Sequence, residues 1–119
     1  MKTALDPRHK RRQRLIQELF RVQFQKQTIN KDANEVMKYK DSLDSNIHKA
    51  APDFPVDKIN KIDLAILRLS TYELLVIHKE PQNVIIDEAV ELAKEFGNDS
   101  SPAFINGVLG RIVTYGKLA

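Results

Sequence analysis

The densest chemistry in this sequence lies near its start. Arg8-His9-Lys10-Arg11-Arg12-Gln13-Arg14 places five permanent cations within seven residues. Wound as a helix, these side chains cannot share one face and instead circle the first two turns. A cation near a helix N-terminus opposes the macrodipole at a cost of about 0.3–1 kcal/mol, so local stability does not account for the run. Phosphate neutralisation does, because each contact releases condensed counterions. Arginine adds a planar fork for phosphate and a flat face for base stacking. Arg8, Lys10, Arg11, Arg12 and Arg14 are therefore the candidate polyanion contacts. On composition alone, a solvated, frayed arm accounts for the run equally well.

Other chemistry is thinly supplied. Histidine occurs only at positions 9, 48 and 78 and cysteine not at all, so no zinc-type spacing, disulfide frame or thiolate is available. No glycine-rich phosphate loop is present. Glu88, Glu91 and Glu95 read as the solvated face of a helix rather than an acid–base set, and Ser100 and Ser101 sit in a capping context with no base beside them. The expectation is a protein without metal, cofactor or catalytic activity. Phe20 and Phe24, spaced i, i+4 beside Gln17 and Arg21, are candidates to anchor a protein partner, with core burial the competing reading for at least one ring. Arg68 and Glu73 interrupt an oily stretch and read as internally satisfied structural groups.

The elements that must carry these residues follow from periodicity. The 119 residues suit a single domain, with a helical part over 1–50 and another over 57–115. Only 4 glycines and 5 prolines punctuate the chain, favouring a few long helices over many strands. Asp6 and Pro7 predict a helix start. Leu15, Ile16, Leu19, Phe20, Val22 and Phe24 line one side of a helix reaching about Gln27. Residues 30–50 predict one polar helix with a thin stripe (Val36, Tyr39 or Lys40, Leu43, Ile47), ended by Pro52 and Pro55. Asp57 is the expected cap of the next helix. From Ile62 to Ile77 apolar residues surround the axis almost completely, the mark of a buried central helix. Val84, Ile85, Ala89, Leu92, Ala93 and Phe96 form a clean stripe, with Gly97 expected as a left-handed stop. Ser101-Pro102 is a cap-and-first-turn signal for a last helix ending near Tyr115, and Gly107 within it predicts close approach of another helix. The expectation is an all-α, compact helical bundle of five to six helices. No apolar run approaches the roughly 20 residues that cross a bilayer, and the start lacks a secretory signal, so a soluble, cytoplasmic protein is expected. Residues 1–30 hold eight basic and two acidic side chains, whereas the rest holds eleven basic and fourteen acidic. A basic end on a mildly acidic body predicts a polyanion docked at one place.

Three motifs then resemble the NusB family: Ile66-Leu67-Arg68-Leu69-Ser70-Thr71-Tyr72-Glu73-Leu74; Ile86-Asp87-Glu88-Ala89-Val90-Glu91-Leu92-Ala93-Lys94-Glu95-Phe96-Gly97 following Pro81; and Phe104-Ile105-Asn106-Gly107-Val108-Leu109. Their order and spacing cover roughly residues 57–113. The resemblance implies two small helical sub-bundles around the central helix and a non-catalytic, RNA-binding role in transcription antitermination. It implies binding of boxA-type single-stranded RNA with the ribosomal protein NusE and the RNA polymerase elongation complex, by a monomer or weak homodimer. It places Arg8, Lys10, Arg11, Arg12 and Phe104 by the RNA, and Phe20, Phe24 and Asp63 on the side that meets NusE. The stretch between the first helix and Asp57 is shorter than the family pattern by something like a helix, and Pro102-Ala103 replaces polar or basic residues. A protein-interaction module without RNA binding is the alternative.

Overall fold

The computed structural model describes residues 6–25, 27–28 and 30–116; Lys2 and Lys26, counted above in the basic end, lie outside them. The described residues form six α-helices: α1 (Pro7–Gln25), α2 (Lys31–Met37), α3 (Lys40–Ala50), α4 (Lys61–Tyr72), α5 (Gln82–Phe96) and α6 (Ser101–Tyr115). Helix α4 is the hub, packing against α1, α2, α3, α5 and α6. Nine consecutive residues of it, Asp63 to Thr71, are buried. Ile16 and Leu19 of α1, Leu43 and Ile47 of α3, Leu92 of α5, and Ile105, Leu109 and Ile112 of α6 close on it, each almost fully removed from water. Burying each such side chain contributes about 1.5–3 kcal/mol. The all-α bundle expected from periodicity is the observed one.

Asp6 caps α1, its Oδ1 accepting the Arg8 N–H at 2.9 Å. The helix expected over 30–50 is instead two. Asn30 caps α2 by accepting the Ala33 N–H at 2.9 Å, and the ladder lapses at Tyr39, whose backbone (φ −102°, ψ 12°) leaves the helical region. Val36 and Leu43 both reach the core, and Tyr39 between them packs on Tyr72, ring centroids 5.7 Å apart. Asp57 lies in a 3-10 turn (Val56–Lys58) and does not cap α4; Asn60 does, accepting from the N–H groups of Ile62 and Asp63.

The central helix is not uniform to Ile77. After Tyr72 the coil widens into a π turn, Glu73–Ile77, closed by the His78 N–H donating to the Glu73 carbonyl at 3.0 Å. Leu75, Val76 and Ile77 are only half-buried there. The left-handed residue ending this segment is His78 (φ 56°), whereas Gly97 is extended (φ −91°, ψ −169°). Gly97 is required for space: a Cβ would stand 2.5 Å from Ser101 Oγ. Ser101 is one residue inside α6, not its cap; its buried hydroxyl accepts the Asn98 N–H and donates to Asn98 Oδ1. The expected helix contact at Gly107 is absent, since a Cβ there would meet only Arg111 Nη1, at 3.9 Å. Arg68 is internally satisfied, donating through Nε and Nη2 to the two Asp44 oxygens at 2.9 Å each and tying α4 to α3.

Candidate nucleic-acid interface

The basic run occupies the first two turns of α1, and the helix sorts its cations by direction. Arg12 stands i, i+3, i+4 and i+7 with Leu15, Ile16 and Leu19, in register with the core, and is buried (6% exposed). Its guanidinium is enclosed by carboxylates. Nε and Nη2 donate to Glu73 at 2.9 and 2.6 Å, Nη2 to Glu80 at 3.0 Å and Nη1 to Glu88 at 3.3 Å. Burial alone would lower the Arg12 pKa; the hydrogen bonds and charge of Glu73, with those of Glu80, outweigh it and hold the group above its ordinary value. As a phosphate contact Arg12 is therefore corrected: buried and paired with three carboxylates, it fixes α1 against the π turn and α5.

His9, one turn earlier, joins the same cluster. Its Nδ1 lies 3.0 Å from Glu88 Oε1, and its Nε2 lies 2.8 and 3.0 Å from the two Glu95 oxygens. Glu88 is buried and so is not the solvated acid expected from sequence; Glu95 is exposed, as expected, and is engaged by both His9 and Gln13. Both sit at the border of the α5 stripe, where α1 crosses.

What remains for a ligand is the outward side. Lys10, Arg14, Gln17 and Arg21 are exposed and fall within a narrow stripe of α1; from Lys10 to Arg21 it runs about 16 Å. Lys10 and Arg14 make no ion pair among the described residues. Arg21 pairs with Glu18 along the helix at 2.8 Å. Arg11 reaches Asp32 of α2 at 3.1 Å, with both side chains about half exposed, and Arg8 rests on Asp6 at 3.3 Å with 70% of its side chain in water. Such exposed pairs are weak, screened by salt, and free to exchange for phosphate.

The aromatic candidates occupy two other places. Phe20 and Phe24 meet edge to face, centroids 5.2 Å apart, with Phe24 60% exposed. Together with Ile16, Ile62 and Phe96 they line a groove of about 370 Å³. Asp63 is buried beside Ser101, with Oδ1 unpartnered, so it is not a surface contact in this arrangement. Phe104, half-buried on α6, packs on Phe54 rather than on α1, centroids 5.2 Å apart. Sequence reasoning missed His9, Glu80 and Phe54. The register of Arg12 with the apolar positions of α1 signalled the buried cluster; Phe54, isolated between Pro52 and Pro55, gave no periodic signal.

Comparison with known proteins agrees with this fold. The family model described as NusB family matches residues 6–114. The transcription antitermination protein NusB of Clostridium novyi (strain NT) is 42% identical over 85 residues, covering 71% of this chain and 64% of that protein. The NusB of Chloroflexus aggregans is 51% identical over 74 residues, 60% of this chain and 49% of that protein. Matched segments thus span about half to two thirds of these relatives. Among solved structures, T. maritima NusB superposes with a TM-score of 0.80 at 30% identity, covering 96% of this chain and 93% of that one. No helix among the described residues is long and apolar enough to cross a membrane.

Proposed function

The chain belongs to the NusB family, and from that premise we propose that it is a non-catalytic RNA-binding adaptor in transcription antitermination. The reading assigns boxA-type single-stranded RNA to the outward cations of α1 (Lys10, Arg11 and Arg14, with Arg8) and to Phe104. It assigns a protein partner, the ribosomal protein NusE within the RNA polymerase elongation complex, to the groove at Phe20 and Phe24. The observation that carries it is the division of one basic run: Arg12 is locked by three carboxylates while Lys10 and Arg14 stay exposed without ion pairs among the described residues. A run serving only to hold the bundle together would not leave these cations in water, against the helix dipole.

The test is single-stranded boxA-type RNA titrated at several salt concentrations against the parent and a Lys10→Gln, Arg14→Gln double variant. Two lost phosphate contacts should flatten the salt slope by about 1.4 and weaken binding, with helical content unchanged. Equal affinity and slope would refute the assignment. A protein-interaction module is the second reading, favoured by the exposure of Phe24; it predicts no salt-steep RNA binding by the parent.

A further inference from the structure

Gly107 stands in mid-helix with no packing reason to be glycine. It lowers helix propensity, yet a Cβ there would meet nothing closer than Arg111 Nη1 at 3.9 Å. Glycine that no neighbour requires, in a helix that would favour almost any other residue, suits a backbone kept bare for something outside the fold. Its surroundings show what kind of ligand fits. Phe104, Gly107, Arg111 and Tyr115 follow one another at i, i+3, i+7 and i+11, a single face of α6. At one end the Phe104 ring meets Phe54, which is 51% exposed and held in the turn where its N–H donates to the Ala51 carbonyl at 3.0 Å. Beyond the bare backbone, the exposed Arg111 donates to the Ala50 carbonyl at 3.3 Å. At the far end the Tyr115 hydroxyl donates to the Lys49 carbonyl at 3.3 Å, and the Lys49 ammonium lies 5.3 Å from the Tyr115 ring centroid.

We propose that this face of α6, from the Phe54–Phe104 pair across Gly107 to Arg111 and Tyr115, is a second single-strand tract on which unstacked bases lie against aromatic rings while Arg111 and Lys49 neutralise the backbone. The alternation of exposed aromatics with cations is the composition by which proteins hold single-stranded nucleic acid without reading its sequence. An acidic protein segment would use the cations but has no need of two separated aromatic platforms and a bare helix turn between them. The tract rests on the RNA reading and extends it: α1 supplies phosphate contacts, α6 supplies stacking, and Phe54 is the added stacking residue.

Fluorescence anisotropy with labelled single-stranded oligo(A) RNA tests this on the full chain. Phe54→Ala should weaken binding about ten-fold, the scale of one lost base stack. Gly107→Met should weaken it similarly while raising the melting temperature, a combination that a purely structural glycine would not give. The Lys10→Gln, Arg14→Gln variant serves as the reference arm. If that variant binds more weakly but Phe54→Ala and Gly107→Met bind like the parent, the tract is refuted and the α1 reading stands. If the parent binds no single-stranded RNA, both fall. Loss of protein-partner binding by Phe54→Ala with RNA affinity intact would also overturn the proposal.

Discussion

Arg12→Met removes the one guanidinium that three carboxylates share while keeping most of the aliphatic stem. Glu73, Glu80 and Glu88 are then left facing one another around an apolar side chain, with side-chain exposures of 15%, 20% and 7%. Removing one partner of a buried ion pair costs about 3–5 kcal/mol. Glu73 and Glu80 regain part of their hydration, and Glu88 keeps His9 at 3.0 Å, so the lower end, about 3 kcal/mol, is expected. Against a total stability of about 5–15 kcal/mol for a domain, this is a large fraction, and it corresponds to a melting point lower by about 10 °C. Urea titration followed by far-UV circular dichroism measures it. A loss below about 1 kcal/mol, the scale of a surface pair, would refute the buried-cluster argument. Unchanged stability with RNA affinity lost would return Arg12 to the phosphate contacts.

Asp63 predicts the opposite sign. Burial raises its carboxyl above the ordinary value of 3.8, opposed by the hydrogen bond with Ser101. A folded pKa above the unfolded one means that stability falls as pH rises through that window and stays lower above it. The orphan Oδ1 costs about 1–3 kcal/mol, whereas an acid in the first turn of α4 gains about 0.3–1 kcal/mol from the dipole. Asp63→Ala should therefore stabilise by about 1 kcal/mol at neutral pH and lose that advantage in acid; identical urea midpoints at both pH values would contradict this. Gly97→Ala should destabilise by about 1–3 kcal/mol, since its Cβ would lie 2.5 Å from Ser101 Oγ. Gly110→Ala, with nothing within 4 Å, should stabilise by about 1 kcal/mol, and thermal melts separate the pair. Phe24→Ala should change stability by no more than about 1 kcal/mol, since that ring is mostly in water, yet reduce affinity for the proposed ribosomal protein partner in calorimetric titration.

Where one periodicity dominates, the sequence was readable. The stripes of α5 and α6 appear where apolar spacing placed them, the oily α4 does so as far as Tyr72, and α1 starts at the Asp6-Pro7 cap signal. What escaped depends on contacts between distant segments. Nothing local says that the chain breaks at Tyr39, where the ring packs on Tyr72, 33 positions away. Glu88 looked like a solvent-facing acid until α1 laid His9 and Arg12 across it. The π turn at Glu73–Ile77 is equally silent, since its residues suit an α-helix as well. Of the candidate contacts, exposure matched expectation for Arg8, Lys10, Arg11, Arg14 and Phe24, whereas Arg12 and Asp63 turned inward.

The inward and outward cations of α1 depend on each other. A basic run of this density repels itself and opposes the helix dipole, so a helix starting here needs negative charge from elsewhere. Glu73, Glu80, Glu88 and Glu95, supplied by the π turn, the loop after it and α5, converge on His9 and Arg12, with Glu95 also accepting from Gln13. Arginine suits that position because its five donors satisfy several carboxylates at once and its planar group is weakly hydrated; a lysine would leave at least one acid poorly met. With α1 pinned through its inward side, the first two turns keep a fixed direction, and Lys10 and Arg14 are held toward water by helix geometry rather than by contacts of their own. Cations positioned in this way meet a phosphate chain with less ordering left to lose than a frayed arm would have. The carboxylate cluster is thus the reason a costly basic run can serve as a rigid contact surface.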